Sequence, residues 1–311
     1  MMNANNAGAL FVCVLIAVIP VSYAQAATYS FTNISAGNTY YGRSQTGAMD
    51  INSAGQVVGF YSTNVGAGSF VYNDGNLSPI NVPSANETYA YGINDSGQVV
   101  GFYRNTPQSS HGFVYSGGSY NNFDLPGTAA TYAYGINNSS QIVGQYGNQG
   151  FLFSNDSVSI IDVPGNLFTL ASGINNAGQV VGYYQDATYA GHSFLYSGGT
   201  YTSIDVPGAS STWVQGITNT GQYYGWYQDS AYAVRSFLYS GGTYTSIEVP
   251  SAGQTYIYGV NDIGQVVGSY SSGLNNFGYI ATPTTVPLST AFWLFGSGLA
   301  GLFGLIRKRS N

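Results

Sequence analysis

Apolar and polar residues alternate in short runs through the middle of the chain, and the runs repeat with a period of about 43 residues. The string Asn-x-x-Gly-Gln-Val-Val-Gly and its close variants end at Gly59, Gly101, Gly144, Gly182, Gly225 and Gly268. A second string follows each of the first five copies: a Phe-Val/Leu-Tyr/Phe run, a glycine-rich turn, and then Ile-Asp-Val-Pro or a variant of it. Self-similarity at such a period indicates a repeat architecture.

Each repeat predicts four short β-strands, termed a to d in chain order. Strand a ends in Gly-Ile-Asn, as at 92–94, and an Asn-x-x-Gly turn joins it to strand b. Strand b, as at 98–103, is apolar on both faces, which predicts burial on both faces. Strand c (112–115) precedes strand d, which we expect to end at a proline such as Pro126, because proline lacks an N–H and suits an outer edge. Four strands in about 43 residues is the size of a propeller blade.

The first and last strands of the repeat region complement each other. Residues 28–31 look like a strand d, whereas the last repeat ends after its strand c at 277–281. An N-terminal strand that completes the last blade leaves no open sheet edge. We therefore expect an all-β, six-bladed β-propeller over residues 27–285, with the N-terminal strand closing the last blade. A β-sandwich and an open β-solenoid are the alternatives, and the complementary ends disfavour the solenoid, which needs capping repeats.

The two ends of the chain differ from the repeats. An apolar run at 9–21, followed by Ala24 and Ala26, predicts a secretory signal peptide over residues 1–26, although no basic residue precedes the run. At the other end, residues 290–306 are apolar and a basic Arg-Lys-Arg tail follows. This stretch is long enough for a C-terminal transmembrane helix whose basic end stays in the cytoplasm. A buried N-terminal helix and a permanent single-span anchor are the alternatives at the two ends.

The C-terminal segment 286–311 resembles the PEP-CTERM sorting signal. Val286-Pro287 opens the segment, the apolar stretch 290–306 follows, and the basic tail ends it. In proteins with this signal, an exosortase recognises and cleaves the segment in bacteria that make exopolysaccharide. The resemblance implies an exosortase-like protease as partner, with Val286 and Pro287 as the sorting motif. It also implies a precursor held in the inner membrane through 290–306 and a final place at the cell surface or in the extracellular matrix.

The repeats are similar to HAF repeats, a family of extracellular repeats named after a His-Ala-Phe tripeptide in strand c. The corresponding tripeptides are His111-Gly112-Phe113 and His192-Ser193-Phe194, and other copies have Gly68, Gln149, Arg235 or Phe277 in place of His. The resemblance covers nearly all of the mature chain and implies an exported repeat protein. It implies no enzymatic activity and supplies no catalytic residues.

Charged residues make up only 6% of the 311 residues, and the formal net charge is −6. Three of the six basic residues belong to the C-terminal tail, so the chain lacks the clustered Lys and Arg that nucleic-acid binding needs. The single cysteine, Cys13, lies in the predicted signal peptide, which leaves the mature chain without thiol chemistry. No H-E-x-x-H, G-x-S-x-G or phosphate-binding loop occurs. The sequence thus predicts no enzyme, no cofactor and no metal site.

Propeller topology places the b–c and d–a loops on one face of the ring, and the a–b and c–d turns on the other. The remaining basic residues and both histidines then lie on the b–c/d–a face, whereas Asp74, Asp95, Asp156 and Asp262 lie on the opposite face. The long loops of the b–c/d–a face are also expected to carry Tyr189, Tyr232 and Trp213. Aromatic rings beside Arg, Asp and amide groups are typical of a carbohydrate-binding surface, although loops also collect polar residues for no such reason. The candidate binding residues are Arg43, Arg104, His111, Asp186, Tyr189, His192, Trp213, Asp229, Tyr232 and Arg235.

We therefore expect a non-enzymatic cell-surface or biofilm-matrix protein that binds extracellular polymer or protein, with exopolysaccharide as a candidate partner. The alternatives are a purely structural spacer and a propeller hydrolase or lyase acting on polysaccharide. The candidate acids of such an enzyme are Asp50, Glu87, Asp186 and Asp229. The acid of the Ile-Asp-Val-Pro string recurs in blade after blade, which favours a structural hydrogen bond from the outer strand to a neighbouring turn over catalysis.

Overall fold

A computed structural model describes residues 28–37, 39–127 and 130–284, and the chain from 29 to 284 forms one compact unit. The described residues form six four-stranded sheets and one two-stranded ladder. Among them there is no apolar helix of the length that a bilayer requires. The predicted signal peptide, the sorting motif and the stretch 290–306 lie outside the described residues, so these remain predictions.

Each four-stranded sheet corresponds to strands a to d of one repeat. Strands a are β4 (Thr46–Ile51), β8 (Glu87–Ile93), β12 (Thr131–Ile136), β16 (Phe168–Ile174), β20 (Ser211–Ile217) and β24 (Thr255–Val260). Strands b are β5 (Val57–Thr63), β9 (Val99–Thr106), β13 (Ile142–Tyr146), β17 (Val180–Gln185), β21 (Tyr223–Gln228) and β25 (Val266–Ser272). Strands c are β6 (Gly66–Asn73), β10 (Ser109–Ser116), β14 (Gln149–Ser154), β18 (Gly191–Ser197), β22 (Val234–Ser240) and β26 (Asn275–Thr284). Strands d are β7 (Asn76–Pro79), β11 (Ser119–Phe123), β15 (Ser157–Ile161), β19 (Thr200–Ser203), β23 (Thr243–Thr245) and β1 (Thr28–Ile34). The hairpin of β2 (Thr39–Tyr40) and β3 (Arg43–Ser44) precedes the first blade.

The last blade confirms the predicted closure of the ring. Its strand order is β1–β26–β25–β24, so the N-terminal strand is the outer strand of a blade built otherwise from the end of the repeat region. Ile34 of β1 is buried and lies against Gly278 of β26. Each strand a contacts the strands a of both neighbouring blades, and β24 contacts β4 in this way. The described residues therefore form a closed six-bladed β-propeller.

The hydrophobic core lies between neighbouring blades. In one of its six clusters, Val143 and Ile161 of the third blade pack with Ala171, Val180 and Phe194 of the fourth. The ring at the Phe194 position is buried in every blade, as Phe70, Phe113, Phe151, Phe194, Phe237 and Tyr279. Because each blade shares its buried surface with both neighbours, no blade can bury its apolar side chains alone.

The glycine that ends each repeat string lies where strands a and b approach most closely. A Cβ atom at Gly182 would overlap the carbonyl oxygen of Leu170 on strand a, and it would also meet the buried ring of Phe194. The equivalent glycines of the other blades face a strand-a carbonyl in the same way. Packing, and not a positive φ, therefore requires glycine at this position.

The asparagine that begins an a–b turn joins neighbouring blades. Asn137 Oδ1 accepts the N–H of Ser139 and that of Gln141, each at 3.0 Å, as the turn prediction requires. Its Nδ2 also donates to the carbonyl oxygen of Asn175 in the next blade at 3.0 Å. Equivalent side-chain bonds run from Asn52 to Asn94, Asn94 to Asn137, Asn175 to Thr218 and Asn261 to Asn52. These asparagines link five of the six pairs of neighbouring blades around the central channel, and the fifth blade has Thr218 in place of Asn.

The Ile-Asp-Val-Pro strings lie between blades, so the prediction that strand d ends at the proline was wrong. β19 ends at Ser203, before Asp205. The Ile204 N–H still bonds to the Ser193 carbonyl of strand c, but the N–H of Val206 bonds to the buried Thr212 hydroxyl of the following blade at 3.0 Å, so the chain leaves the sheet there. Asp205 Oδ1 accepts the N–H of Ser193 in strand c at 3.2 Å, and Asp124 accepts that of Gly112 likewise. The structural role predicted for these acids is confirmed, but the partner is an N–H of strand c in the same blade and not a neighbouring turn.

Candidate functional site

The three arginines of the described residues lie on the b–c/d–a face. Arg104 is near the end of β9, and Arg235 is near the start of β22. Arg43 lies in β3, and the hairpin that carries it is held to the b–c ends of the first and last blades. The N–H of Tyr41 donates to Asn64 Oδ1 at 2.6 Å, and that of Ser44 donates to Asn275 Oδ1 at 2.8 Å.

Two b–c loops share one design in neighbouring blades. Asp186 Oδ1 accepts the N–H groups of Thr188 and Ala190 at 2.8 and 2.9 Å within loop 186–190. Asp229 Oδ1 accepts those of Ala231 and Ala233 at 2.9 and 3.0 Å within loop 229–233. Bonds from the Thr188 hydroxyl and from loop N–H groups hold the pKa of Asp186 below its usual range, and the Ala233 and Ala231 N–H groups do the same for Asp229. Both carboxylates therefore organise their own loops.

Each of these loops presents a tyrosine at its tip. Tyr189 is 73% exposed with a φ of 65°, and Tyr232 is 76% exposed with a φ of 62°. A bulky residue in the left-handed region costs on the order of 1–3 kcal/mol, and such strain clusters at ligand-binding sites. The aspartate caps hold the backbone in this conformation, so both aromatic side chains project into solvent.

Two arcs of aromatic rings line the inner part of the same face. The rings of Phe60, Tyr89, Phe102 and Tyr132 follow one another with centroids 5.1, 4.9 and 4.8 Å apart. A second arc joins Tyr183, Trp213, Trp226 and Tyr256 with spacings of 5.3, 4.0 and 5.8 Å. Sequence reasoning missed both arcs except for Trp213, because the rings alternate between strands a and b of successive blades. It also placed Trp213 in a loop, which was wrong: the residue lies in β20, paired and stacked with Trp226.

The two histidines hold the same place in different blades, as predicted. His111 Nδ1 lies 2.9 Å from Asp124 Oδ2, and His192 Nδ1 lies 3.1 Å from Asp205 Oδ2. His192 Nε2 also lies 3.5 Å from Asp186 Oδ2, so this imidazole bridges the Ile-Asp-Val-Pro string and the b–c loop. No group of three or more His, Asp or Glu side chains among residues 28–37, 39–127 and 130–284 is arranged to hold a metal ion.

Arg104 and Arg235 each have an acidic partner. Arg104 Nη1 lies 3.5 Å from Glu87 Oε2, and its guanidinium lies over the ring of Phe102, 5.2 Å from the centroid. Arg235 Nε lies 3.3 Å from Asp229 Oδ2, with the arginine side chain 54% exposed. Exposed pairs of this kind contribute little to stability, so these groups stay available to a ligand.

Exposed apolar side chains are concentrated on the same face. The loops of this face carry six exposed large apolar residues: Tyr41, Val65, Leu167, Tyr189, Tyr232 and Leu274. Three more lie on outer strands d: Val158, Ile160 and Tyr244. On the turns of the opposite face, Ile263 is the one large apolar residue that is exposed among those described. Solvent-facing apolar groups rimmed by polar ones mark interaction surfaces. The b–c/d–a face is therefore the candidate binding face.

The four acids named for a polysaccharide hydrolase occupy separate places. Asp186 and Asp229 cap their own loops in different blades, and Glu87 pairs with Arg104. Asp50 lies in strand a of the first blade and lines a central cavity of about 390 Å³. Sequence reasoning named Asp50 but could not place it in a cavity, because the six inner strands that form the cavity are far apart in the chain.

No protein-family model matches this chain, and no curated protein matches it. Its fold is similar to that of the fucose-specific lectin from Aleuria aurantia, with a TM-score of 0.50 and 14% identity over 79% of this chain and 98% of the lectin. It is also similar to AofleA from Arthrobotrys oligospora, with a TM-score of 0.52 and 13% identity over 83% of this chain and 90% of that chain. At these identities the similarity shows the fold alone. The chain thus belongs structurally to the six-bladed β-propellers.

Proposed function

We propose that this chain is an exported, non-enzymatic β-propeller that binds an extracellular carbohydrate polymer through its b–c/d–a face. The observation that carries the proposal is the pair of exposed tyrosines, Tyr189 and Tyr232, each held in a strained backbone conformation by an aspartate cap. Both side chains are exposed, so packing does not explain the backbone strain, and strain of this kind is typical of ligand-binding sites. Tyrosine gives a sugar ring a flat apolar surface and a hydroxyl at its edge.

The surroundings of the two tyrosines support a carbohydrate ligand. The aromatic arcs offer further stacking surfaces, and Arg235, Asp229 and His192 offer charged hydrogen-bonding groups beside the loops. The scarcity of charge leaves a neutral surface rich in hydroxyl and amide groups, which suits sugars. A propeller of similar fold is a fucose-specific lectin, which is consistent with the proposal.

The test is polysaccharide binding by the propeller with and without the loop tyrosines. We expect the double substitution Tyr189→Ala and Tyr232→Ala to weaken binding about 5- to 150-fold, because each lost stacking contact is worth roughly 0.5–1.5 kcal/mol. The measurement is a glycan array followed by calorimetric titration of the best ligand. Both side chains are exposed, so the thermal unfolding of the variant is expected to match that of the wild type.

Ile263→Ala, an exposed apolar truncation on the opposite face, is the matched control and should leave binding unchanged. Equal binding by the double tyrosine variant and the wild type would contradict the proposal, as would an array without a bound glycan. Release of new reducing ends from the bound polymer would favour the hydrolase instead.

We also propose that the chain carries HAF-type repeats and is sorted as a PEP-CTERM protein. The sequence at 286–311 supports this with its Val-Pro motif, apolar stretch and basic tail. Cells that express the full chain should release a propeller lacking the tail. A chain without residues 286–311 should be exported without being held in the inner membrane. Fractionation with an antibody against the propeller measures both, and the proposal fails if the full chain stays in the membrane uncleaved.

A further inference from the structure

The central cavity is formed by the inner strands of all six blades and extends from the a–b turns to Tyr183 and Trp213 of the second aromatic arc. Its mouth is a ring of exposed polar residues that follow the turn asparagines: Ser53, Asp95, Asn138, Asn176, Asn219 and Asp262. These residues are bonded from blade to blade, for example from Asn219 Nδ2 to Asp262 Oδ2 at 2.8 Å. A volume of about 390 Å³ lies within the range of small-molecule sites.

Asp50 breaks the symmetry of this cavity. The other five blades have glycine at its position: Gly92, Gly135, Gly173, Gly216 and Gly259. The inner strands are close together there, since a Cβ at Gly259 would lie 2.8 Å from the Asp50 Cα. The Asp50 carboxylate accepts the N–H of Ile51 at 2.8 Å and that of Ile93 in the next blade at 2.9 Å. Protein surrounds the carboxylate, although part of the side chain still faces the cavity.

Among the described residues, no cation lies beside the carboxylate. The pKa of Asp50 is raised to about 7. Burial is the largest cause and the charge of Asp95 adds to it, whereas the two N–H bonds act in the opposite direction. The titratable groups that line the cavity with Asp50 are Tyr91, Asp95, Tyr134, Tyr183, Tyr224, Tyr258 and Asp262. Every charged residue lining the cavity is therefore acidic, and the arginines and histidines of the described residues lie elsewhere. A buried carboxylate without a cation costs stability, so the folding of the ring does not explain it.

Aromatic rings and unpaired hydroxyls form the wall beyond Asp50. Tyr91 and Tyr134 lie edge to face with centroids 5.1 Å apart, and Tyr258 lines the cavity as well. Burial raises the pKa of the Tyr91 and Tyr134 hydroxyls, so both stay protonated. Within the described part of the chain, neither hydroxyl has a hydrogen-bond partner. Neither hydroxyl oxygen belongs to the buried unsatisfied side-chain atoms of the described residues, so both are accessible from the cavity and can bond to a ligand.

We propose that the central cavity binds a protonated amine carried on a sugar-sized polar molecule, with Asp50 as the counter-ion of the ammonium group. Tyrosine faces attract a cation, and the acidic mouth at Asp95 and Asp262 raises the local concentration of cations. The hydroxyls of Tyr91 and Tyr134 bond to the polar body of the ligand. The exposed mouth at the a–b turns lies on the face opposite the one that carries Tyr189 and Tyr232, and Asp50 is no part of the loops that hold those tyrosines, although Tyr183 and Trp213 of the second aromatic arc also line the cavity.

The test uses glucosamine and N-acetylglucosamine, which differ in charge at one nitrogen, titrated into the propeller at pH 7. We expect glucosamine to bind at least about tenfold more tightly, a typical value for one buried charge-assisted contact. Because the bound ammonium needs the ionised carboxylate, the glucosamine affinity should fall roughly 50-fold between pH 7 and pH 5, as Asp50 becomes protonated. The affinity for N-acetylglucosamine should stay constant.

Asp50→Gly restores the residue of the other five repeats and should abolish the preference for glucosamine. Asp50→Asn removes the charge at nearly constant shape, and it tests the same loss of preference if the glycine variant fails to fold. The Tyr189→Ala and Tyr232→Ala variant should bind glucosamine like the wild type, so a failure of the polymer-binding proposal would leave this one standing. Equal affinity of the wild type for the two sugars, or an undiminished preference in the Asp50 variants, would overturn the cavity site.

Discussion

A propeller that lacks residues 28–34 is expected to lose most of its stability, because the last blade then ends in an exposed strand. The deletion removes the outer strand β1 with the buried side chain of Ile34, and it strips Phe31 from the ring of Tyr279. Burial of one such apolar side chain is worth about 1.5–3 kcal/mol, and the lost strand pairing adds to it. The total approaches the ~5–15 kcal/mol by which a typical domain is stable. Urea and thermal unfolding measure the loss.

A circular permutant provides the matched control for this deletion. Ser30 Oγ donates to the carbonyl of Thr282, and Ile34 lies against Gly278, so β1 runs antiparallel to β26 and begins near its end. A short linker from Thr284 to Thr28 should therefore let the moved strand form a hairpin with β26. We expect the permutant to recover nearly the full stability of the ring. A truncated chain as stable as the wild type would show that the strand is dispensable.

The second large effect is expected from Gly182→Ala, although the change adds only one methyl group. The new Cβ would overlap the carbonyl oxygen of Leu170, and backbone atoms in a paired strand cannot move aside. The ring of Phe194 lies 2.8 Å from the same Cβ and is itself buried. Overpacking of such a site costs more than the usual ~1–3 kcal/mol, so we expect a loss of about 4 kcal/mol or more in the free energy of unfolding.

Gly47→Ala is the control for this substitution, since both glycines lie in paired inner strands. A Cβ at Gly47 would have the flexible Met49 Sδ as its nearest neighbour at 3.4 Å, which is ordinary contact. Its cost should stay within about 1 kcal/mol. If chemical denaturation gave both variants the same stability, close backbone approach would not be the reason for the repeated glycine.

The architecture could be predicted from the sequence because its determinants recur at one spacing. The glycines from Gly59 to Gly268 mark six units, and the strand-like start at 28–31 supplies the strand that the last unit lacks. Topology then fixed which loops share a face, and it correctly placed Arg104, Arg235 and both histidines on the b–c/d–a side. The exact end of strand d was mispredicted, because a hydrogen bond to a threonine of the following blade decides where the chain leaves the sheet.

The candidate sites themselves depend on contacts between blades. Trp213 stacks on Tyr183 and Trp226, which lie 30 and 13 positions away in the chain. Asp50 meets Ile93 of the next blade and Gly259 at the other end of the repeat region. Neither relation has a local signal, since each partner looks like an ordinary strand residue within its own repeat.

The sequence alone determined the all-β class, the number of blades and the way the ring closes, because strand periodicity, turn chemistry and repeat spacing are local properties of the chain. The tertiary structure decided what the repeats enclose. It turned one departure from the repeat, Asp50 in place of glycine, into a carboxylate inside a cavity, and it joined aromatic residues of separate blades into arcs. Burial and proximity across blades arise only when the ring closes, so the physical properties that define a binding site first exist in the folded protein.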